Sequence, residues 1–497
     1  DRMIEGNDGG ACVSLNGGDT WSSIDNQPTA QFYRMTSDNQ FPYKVYATQQ
    51  DNSAISTPSR SVDKGAITFA ESQFVGSSEN GQIAVHPDNP NVIFSGGIGS
   101  YRGGGGILLR HDLTTGQTRS ITVWPENTRG WGLKHHKHRF QWTYPISFSP
   151  HDSNCLYTAG EVVFRSLDEG QSWTIISPDL TRNDSSKMEA SGGPLTKDAS
   201  YVEHFGTIVA FAESPIERGL LWAASDDGIV SMSDDNGLKW NDITPTGLPE
   251  WATINAVELS AHSPNIAYIS AHRYRLGDNS PYLYRTADYG RTWTKIVTGI
   301  SEDEHTWVIK SDTEKPGLLY AGAERGIYIS FDDGESWQSI RGESAQGLNP
   351  LPVVPVHDIV VNDNELAIAT HGRSFWILDE LSFIRQVHDD IKETQCHLFR
   401  PPVTYRVAPR YSVGATTGQG KGYMLELGHR ATWEDVKIQG GQSARHFLDA
   451  GKNPSDGVVV TYYLKARPKN KVAITFIDEN GQDIKTFRSK PSNTLDS

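Results

Sequence analysis

The segment EVVFRSLDEGQSWTII, residues 161 to 176, places two short apolar runs on either side of a polar turn sequence. Alternating apolar residues over such short runs are typical of β-strands, and the aspartate and glycine between them suit a tight hairpin. The Asp168 side chain can accept hydrogen bonds from turn amides, and Gly170 can adopt a positive φ angle. We therefore expect a β-hairpin with Trp173 packed back over it.

The same pattern, S/T-x-D-x-G-x-x-W, occurs five times and is an internal repeat. The repeats end at tryptophans separated by 152, 67, 53 and 44 residues, and only the first departs from the pattern, with Asn16 for the aspartate. The longest gap leaves room for two further units with degenerate turns, near residues 51–60 and 111–120. The five tryptophans are Trp21, Trp173, Trp240, Trp293 and Trp337.

Repeated sets of short strands predict an all-β fold, a β-propeller. Counting sets from about residue 31 to residue 387 gives seven blades of about four strands each. The strands before them either close the ring or form an incomplete eighth blade. The pattern changes after about residue 395, so we predict a propeller over residues 1–394 and a small β-rich extension over residues 395–497, resembling the opening of an immunoglobulin-like module.

Composition agrees with an all-β protein and excludes several functions. The chain has 47 glycines, 13 tryptophans and only 5 methionines in 497 residues, and its net charge is −15. This charge argues against bulk attraction to nucleic acid or to an anionic membrane. No apolar run approaches the roughly 18 residues of a membrane span. Three distant cysteines form no metal motif or disulfide framework. We expect a monomer with neither nucleic-acid nor membrane partners.

The topology of a propeller sorts the loops onto two faces. The connection entering each innermost strand A and the loop between strands B and C open on one face, whereas the C–D hairpins lie on the other. Ligand sites generally lie at the axis on the first face. Several segments expected there carry His, Arg or Tyr; the segments are residues 77–81, 99–106, 134–139, 201–205, 225–228, 272–279, 323–326 and 370–374.

The most basic of these segments is KHHKHR, residues 134–139. We expect a strand A to begin at the following RFQW. Strand alternation would then place His136 and His138 on one side with Phe140, and His135 with Lys137 and Arg139 on the other. Three interpretations are open. The H-x-H spacing can supply two metal ligands, the segment can be a solvated basic loop, or it can act in catalysis or anion binding.

Longer strings extend the pattern beyond the repeats. NQPTAQFYR, FSPHDSNCLYTAGEVVFRSLDEGQSW and ATHGRSFWILDE resemble the bacterial Asp-box, or BNR-repeat, family, which includes sortilin-like propellers and propellers labelled glycosyl hydrolases. The resemblance covers most of residues 5 to 380. It departs at KHHKH, where relatives carry an acidic or neutral segment, and at His204, where they commonly carry an aromatic residue. Within the family, the sequence is most similar to the ulvan lyases, which cleave an algal sulfated polysaccharide by β-elimination at a uronic acid.

A lyase of this kind needs a group that neutralises the uronate carboxylate, a base and an acid. The resemblance implies a secreted or periplasmic enzyme with an anionic polysaccharide as substrate. No cofactor is required, and a structural calcium or zinc ion is left open. The implied catalytic residues are His136, His138, Tyr201, His204 and Arg273, with Arg273 as the neutralising cation. The implied substrate-binding residues are Tyr101, Arg102, Trp131, His135, Arg139, Tyr274, Arg275 and Arg325.

Two alternatives are kept. A glycoside hydrolase normally needs two carboxylates about 5 to 9.5 Å apart, and the same face offers Asp51, Glu79, Asp226, Asp227 and Glu324. A sortilin-like binding propeller would need no catalytic residues and should present an apolar or mixed groove.

Overall fold

The computed structural model describes residues 2–489 except for residues 8, 23–28, 63–65, 77–78, 80, 98–105, 128, 200–201, 341–350, 405–420, 427–428, 438–442, 448–449, 456 and 469. The chain divides into two compact units, one of residues 1–379 with 409–454 and the other of residues 380–408 with 455–497. The division at residue 394 remains a prediction. Among the helices of the described residues, none has the length and apolar character needed to cross a membrane.

The first unit begins with a hairpin and continues into a series of antiparallel sheets. The hairpin pairs β1 (Met3–Asn7) with β2 (Gly10–Ser14). The next sheet is blade 1, with β3 (Phe32–Ser37), β4 (Lys44–Gln49), β5 (Ala54–Pro58) and β7 (Gln73–Gly76); the short β6 (Ala66–Ile67) lies outside it. Blade 2 contains β8 (Ile83–His86), β9 (Asn89–Gly96), β10 (Leu108–Asp112) and β11 (Gln117–Ser120).

The middle blades repeat this four-stranded order. Blade 3 contains β12 (Ile146–Ser149), β13 (Asp152–Ala159), β14 (Val163–Ser166) and β15 (Thr174–Ile175), and a small hairpin of β16 (Ser191–Gly192) and β17 (Lys197–Asp198) follows it. Blade 4 contains β18 (Ile208–Glu213), β19 (Leu221–Ser225), β20 (Val230–Ser233) and β21 (Asn241–Asp242). Blade 5 contains β22 (Thr253–Leu259), β23 (Ala267–Arg273), β24 (Asp278–Thr286) and β25 (Thr294–Lys295).

The last two blades complete the series. Blade 6 contains β26 (Thr306–Ser311), β27 (Leu319–Ala323), β28 (Gly326–Ser330) and β29 (Gln338–Ser339). Blade 7 contains β30 (Val356–Asn362), β31 (Glu365–Thr370) and β32 (Phe375–Leu378). The protein is therefore a seven-bladed β-propeller, as predicted. Residues 51–60, however, form the B–C turn and strand C of blade 1, and not a degenerate C–D turn, because β5 pairs on both sides within that sheet.

The remaining elements are short. In the first unit, β34 (Lys421–Glu426), β35 (His429–Lys437) and β36 (Ser443–Phe447) form one sheet, and β37 (Gly451–Lys452) pairs with β6. The second unit contains α1 (Ser382–Gln386) and pairs β33 (Cys396–Leu398) with β38 (Tyr462–Leu464) and β39 (Ala473–Ile477) with β40 (Asp483–Arg488). The 3-10 helices are Phe69–Glu71, Leu133–His135, Ser185–Lys187, Tyr274–Leu276 and Asp389–Glu393.

The apolar core lies between blades. The central strands β19 and β27 are buried at every position, because each blade is covered on both faces by its neighbours. Buried clusters accordingly combine residues of adjacent blades, such as Phe94 with Phe164 and Leu221 with Tyr157. Each fully buried side chain of this size contributes roughly 1.5–3 kcal/mol. Packing of blade on blade thus fixes the positions of the inner strands and their loops.

The S/T-x-D-x-G-x-x-W repeats form the C–D turns and also link the blades. Asp168 accepts hydrogen bonds from the Ser172 amide at 2.9 Å and the Ser172 hydroxyl at 2.6 Å, so the predicted turn cap is confirmed. Trp173 Nε1 donates to the carbonyl of Ile121 in the preceding blade at 2.8 Å. The prediction that the tryptophan packs over its own hairpin did not include this bond to the preceding blade. Equivalent bonds join Trp240 to Ile176, Trp293 to Ile243 and Trp337 to Ile296.

Ring closure depends on side chains of the first and last blades. Asp358 Oδ2 accepts from the Met35 amide at 2.9 Å, and Phe32 stacks on Phe375 with ring centroids 4.0 Å apart. The buried Arg34 guanidinium donates to the carbonyls of His357 in blade 7 and Asn255 in blade 5. Arg34 therefore crosses the propeller axis and ties three inner strands together.

Candidate functional site

A cluster of six rings lies on the face that carries the D–A and B–C connections. Blade 5 contributes the end of β23 and the turn after this strand. Blade 6 contributes the start of β26 and the loop before this strand, and blade 7 contributes β30 and the turn after β31. We call this cluster the channel mouth: His272, Tyr274, His305, Trp307, His357 and His371.

The rings of the channel mouth contact one another as a chain across blades 5, 6 and 7. Tyr274 stacks on His305 with centroids 4.9 Å apart and an interplanar angle of 18°. His305 lies 5.1 Å from Trp307, and Trp307 lies 4.0 Å from His357. His357 in turn stacks on His371 at 4.0 Å. Three blades therefore contribute to one continuous cluster of rings.

Glu324, in the B–C turn of blade 6, is the carboxylate of the channel mouth. Its Oε2 accepts a hydrogen bond from Trp307 Nε1 at 2.9 Å and lies 3.2 Å from His305 Nε2. The 3.2 Å separation is short enough for an ion pair when His305 is protonated. Burial acts to raise the pKa of Glu324, but the contacts with His305 and Trp307 outweigh it and lower the pKa. Glu324 is therefore an anion that faces an imidazole.

Three histidines of the channel mouth are neutral near pH 7. Burial lowers the pKa of His272 and His357 well below the ordinary value, and the positive charges of Arg275 and Arg34 add to the effect. Burial also lowers the pKa of His371, whose Nδ1 donates to the Phe32 carbonyl at 2.9 Å. A neutral imidazole can accept a hydrogen bond from an uncharged hydroxyl group through one nitrogen and donate one through the other.

Tyr33, in β3, extends the channel mouth into blade 1. Its ring lies 5.3 Å from that of His371, and its hydroxyl donates to Gln50. Burial, together with the charges of Asp51 and Glu79, raises the pKa of the Tyr33 phenol to about 12. Tyr33 is therefore protonated at neutral pH and acts as a hydrogen-bond donor.

The predicted arginines differ in how they are held. Arg273 Nη1 lies 3.2 Å from Asp278 Oδ2 within the same hairpin. Arg325 forms a two-pronged ion pair with Asp303, at 3.0 and 3.3 Å. The exposed Arg275 instead lies with its guanidinium 5.1 Å from the Tyr274 ring centroid. Arg275 is thus the predicted arginine that accompanies the rings of the channel mouth.

The histidines of KHHKHR separate in the structure. Residues 133–135 are a 3-10 helix and strand A begins only at Ile146, after Pro145, which has no backbone N–H to pair. The prediction that alternation puts His136 and His138 on one side was therefore wrong. His136 contacts the ring of His204 at 4.9 Å, whereas His138 Nδ1 lies 2.7 Å from Glu161 Oε1.

His204 is the more buried member of its pair with His136. Its Nδ1 donates to the Phe140 carbonyl at 2.7 Å. Burial lowers the pKa of His204 to about 4, and the Phe140 hydrogen bond only partly opposes this shift. His204 is therefore a neutral histidine held in place by backbone, in a second imidazole cluster with His136.

The other predicted residues have different surroundings. Arg139 is buried and donates to the Gly206 carbonyl and to Asp179, at 3.0 and 2.7 Å, which fixes it in the scaffold. Trp131 is 59% exposed and lies 5.8 Å from the exposed His135 ring. Tyr101, Arg102 and Tyr201 lie outside the described residues.

Asp226 and Asp227, considered for a hydrolase, hold the B–C turn of blade 4. Asp226 accepts from the Thr207 amide and hydroxyl, each at 2.9 Å, and Asp227 accepts from the Arg182 amide at 2.9 Å. Burial raises the pKa of Asp226 to about 7, with hydrogen bonds from Thr207 opposing it and the charge of Asp227 adding to it. The two carboxyl groups satisfy loop amides, and both side chains are buried.

No group of three or more His, Cys, Asp or Glu side chains is placed to hold a metal ion within the described part of the chain. Sequence reasoning did not single out His305, Trp307 or His357, because each lies in or beside a strand without a local motif. His371 and Glu324 fall in segments expected on this face, 370–374 and 323–326, and that position was their only signal.

No protein-family model and no curated relative matches this chain. Among solved structures, it is similar to the GH74 xyloglucanase from Xanthomonas campestris, with a TM-score of 0.49 and 14% identity over 73% of this chain and 54% of that one. It is also similar to YCF48 from Cyanidioschyzon merolae, with a TM-score of 0.44 and 12% identity over 71% of this chain and 95% of that one. The chain spans about half the length of the xyloglucanase chain. At these values the similarities carry no inference about activity.

Proposed function

We propose that this propeller is a polysaccharide lyase that cleaves an anionic, uronic-acid-containing polysaccharide by β-elimination at the channel mouth, with ulvan as the first substrate to test. The observation that carries the proposal is the set of His305, Glu324, Tyr274 and Arg275, which combines a polarised imidazole, a phenol and an exposed cation. The sequence resemblance to ulvan lyases supports the same reaction.

His305 acts as the base in this proposal. Glu324 faces its Nε2, so the proton from C5 of the uronate is taken on Nδ1, and the carboxylate stabilises the imidazolium that forms. Apo separations such as 3.2 Å commonly shorten when the charged state develops. The Trp307 N–H holds the carboxylate in place from the other side.

Tyr274 acts as the acid. As the C5–H electron pair forms the C4–C5 double bond, the C4–O4 bond breaks, and the phenol gives its proton to the departing O4. The stacked arrangement of Tyr274 on His305 keeps acid and base on the same region of the surface. The proton on His305 then passes to the phenolate, directly or through water, which restores the starting state of both residues.

Arg275 neutralises the uronate carboxylate. A positive charge there makes the C5 proton more acidic and stabilises the negative charge that spreads onto the carboxylate in the transition state. Arg275 replaces Arg273 in this role because Arg273 is already engaged with Asp278. A polymeric substrate of this kind is met outside the cell, so we also propose that the protein is secreted or periplasmic.

The variants Glu324→Gln and Arg275→Gln test the proposal. Each should lower kcat on ulvan about a hundredfold or more, measured as near-ultraviolet absorbance of the unsaturated uronate, because each removes charge stabilisation of the transition state. Arg291→Gln, an exposed change in a C–D turn, is the matched control and should retain full activity.

The variant His136→Ala tests which of the two imidazole clusters contains the base. If His136→Ala abolishes the unsaturated product while Glu324→Gln does not, the base lies in the His136–His204 pair and the assignment to the channel mouth is wrong. Likewise, if Arg273→Gln lowers kcat and Arg275→Gln does not, the sequence-based choice of neutralising arginine is the correct one.

A further inference from the structure

Three successive D–A connections on the face of the channel mouth bring tryptophans and cations together: the first and third carry the tryptophans, and the second supplies cations. Trp124 and Trp131 precede blade 3 and are 45% and 59% exposed. Trp251, partly exposed, precedes blade 5. We call these three residues the tryptophan rim.

Each end of the tryptophan rim has positive charge against an indole face. Lys137 Nζ lies 3.4 Å from the ring centroid of Trp124. Arg182 and Lys187, both from the connection between blades 3 and 4, lie 4.8 and 5.8 Å from the ring of Trp251. All three cations lie in connections on the face of the channel mouth, where Glu250 also lies 3.9 Å from Arg182 Nη1.

The connections are packed on one another, so the rim is continuous. The Gly130 amide donates to the Ala199 carbonyl at 3.0 Å and the Lys134 amide to the Met188 carbonyl at 3.2 Å, which joins the first connection to the second. A Cβ on Gly132 would meet the Met188 carbonyl at 2.9 Å, so the two backbones are in close contact. Arg182 and Lys187 then join the second connection to Trp251 in the third.

Trp251 also has a backbone conformation that is costly for its type. Its φ is 62°, in the left-handed region that bulky residues rarely adopt. Such strain persists where the surroundings hold it and is concentrated at binding and active sites. The indole is nonetheless presented at the surface and not buried in the core.

We propose that the tryptophan rim is a non-catalytic binding surface for an acidic polysaccharide chain. Each indole stacks on the apolar C–H face of a pyranose ring, and the neighbouring cation pairs with a carboxylate or sulfate group. The choice of an acidic polysaccharide as the ligand of the tryptophan rim rests on the proposed lyase function. It adds contacts that only a chain longer than the channel-mouth subsites can make.

The test measures retention of the protein in gels containing ulvan. The double variants Trp131→Ala/Trp251→Ala and Lys137→Gln/Lys187→Gln should each weaken the apparent Kd about tenfold, since a few aromatic and charged anchors dominate such surfaces. Turnover of short ulvan oligosaccharides by Lys137→Gln/Lys187→Gln should not change. Trp21→Ala, at a 43% exposed tryptophan in the turn after β2, is the matched control and should bind as the wild type does.

Three results would refute the proposal that the tryptophan rim binds polysaccharide, and none of them bears on the lyase reaction, which is tested separately by absorbance. These are unchanged retention of both double variants, equal retention in gels with the neutral polysaccharide xyloglucan or with single-stranded DNA, and no retention of the wild type in ulvan. If Trp131→Ala/Trp251→Ala fails to fold, two other variants replace it in the retention test. They are the single change Trp131→Ala, at an exposed loop position, and Lys137→Gln/Lys187→Gln. Retention that depends on the rim without any unsaturated product would refute the lyase and support the rim.

Discussion

Replacing Trp337 with phenylalanine should destabilise the propeller by about 2 kcal/mol, because the change breaks a hydrogen bond between blades 5 and 6. Trp337 is 3% exposed, and its Nε1 donates to the Ile296 carbonyl at 2.8 Å. An unsatisfied buried carbonyl costs roughly 1–3 kcal/mol. The smaller ring also leaves a gap against Ile296, which is itself buried.

Urea unfolding followed by fluorescence measures this cost, provided that the slope of the transition is unchanged. The control is Trp21→Phe, the same substitution in the first repeat, where the indole is 43% exposed. We expect the control to change stability by less than about 0.5 kcal/mol. Equal effects of the two substitutions would refute the inference that the repeat tryptophans stabilise the ring through their N–H groups.

Three further predictions concern carboxylates of the scaffold. Hydrogen bonds in the C–D turns lower the pKa of Asp168 and Asp288 to about 2. Their contribution to stability is therefore complete above the ordinary pKa of 3.8 and is lost as pH falls towards 2. A melting temperature that stays constant between about pH 4 and 2 would contradict this prediction. Asp332→Ala should cost about 1 kcal/mol of unfolding free energy with little effect on turnover, and a variant that keeps its melting temperature but loses activity would show a catalytic role instead. Asp358→Ala should cost about 1–3 kcal/mol, because it leaves the buried Met35 amide without its acceptor; a midpoint within experimental error of the wild type would refute this account of ring closure.

The architecture could be predicted because its signals are local. The C–D turns of blades 3 to 6 repeat the same few residues, and the Asp168 hydrogen bonds connect atoms only two to four residues apart. The bond of Trp173 to the preceding blade was not predicted, because its acceptor, Ile121, lies 52 residues away in another blade. Local sequence cannot identify such a partner.

The candidate site was predicted only in part for the same reason. Propeller topology correctly assigned Tyr274, Arg275 and Glu324 to loops of one face. Which side chains meet there depends on how blades pack, and His305, Trp307 and His357 have no motif of their own. KHHKHR was misjudged because a 3-10 helix and Pro145 keep it out of strand A, so the period-two rule did not apply.

The most direct test of the central claim is to incubate the wild-type protein with ulvan and record near-ultraviolet absorbance alongside the release of reducing ends. β-Elimination at the channel mouth predicts that both rise together, because every cleaved bond leaves one C4–C5 unsaturated uronate and one reducing end. Reducing ends without absorbance would contradict the lyase and favour a hydrolase. No change in either signal would contradict catalysis on this substrate and favour a binding propeller.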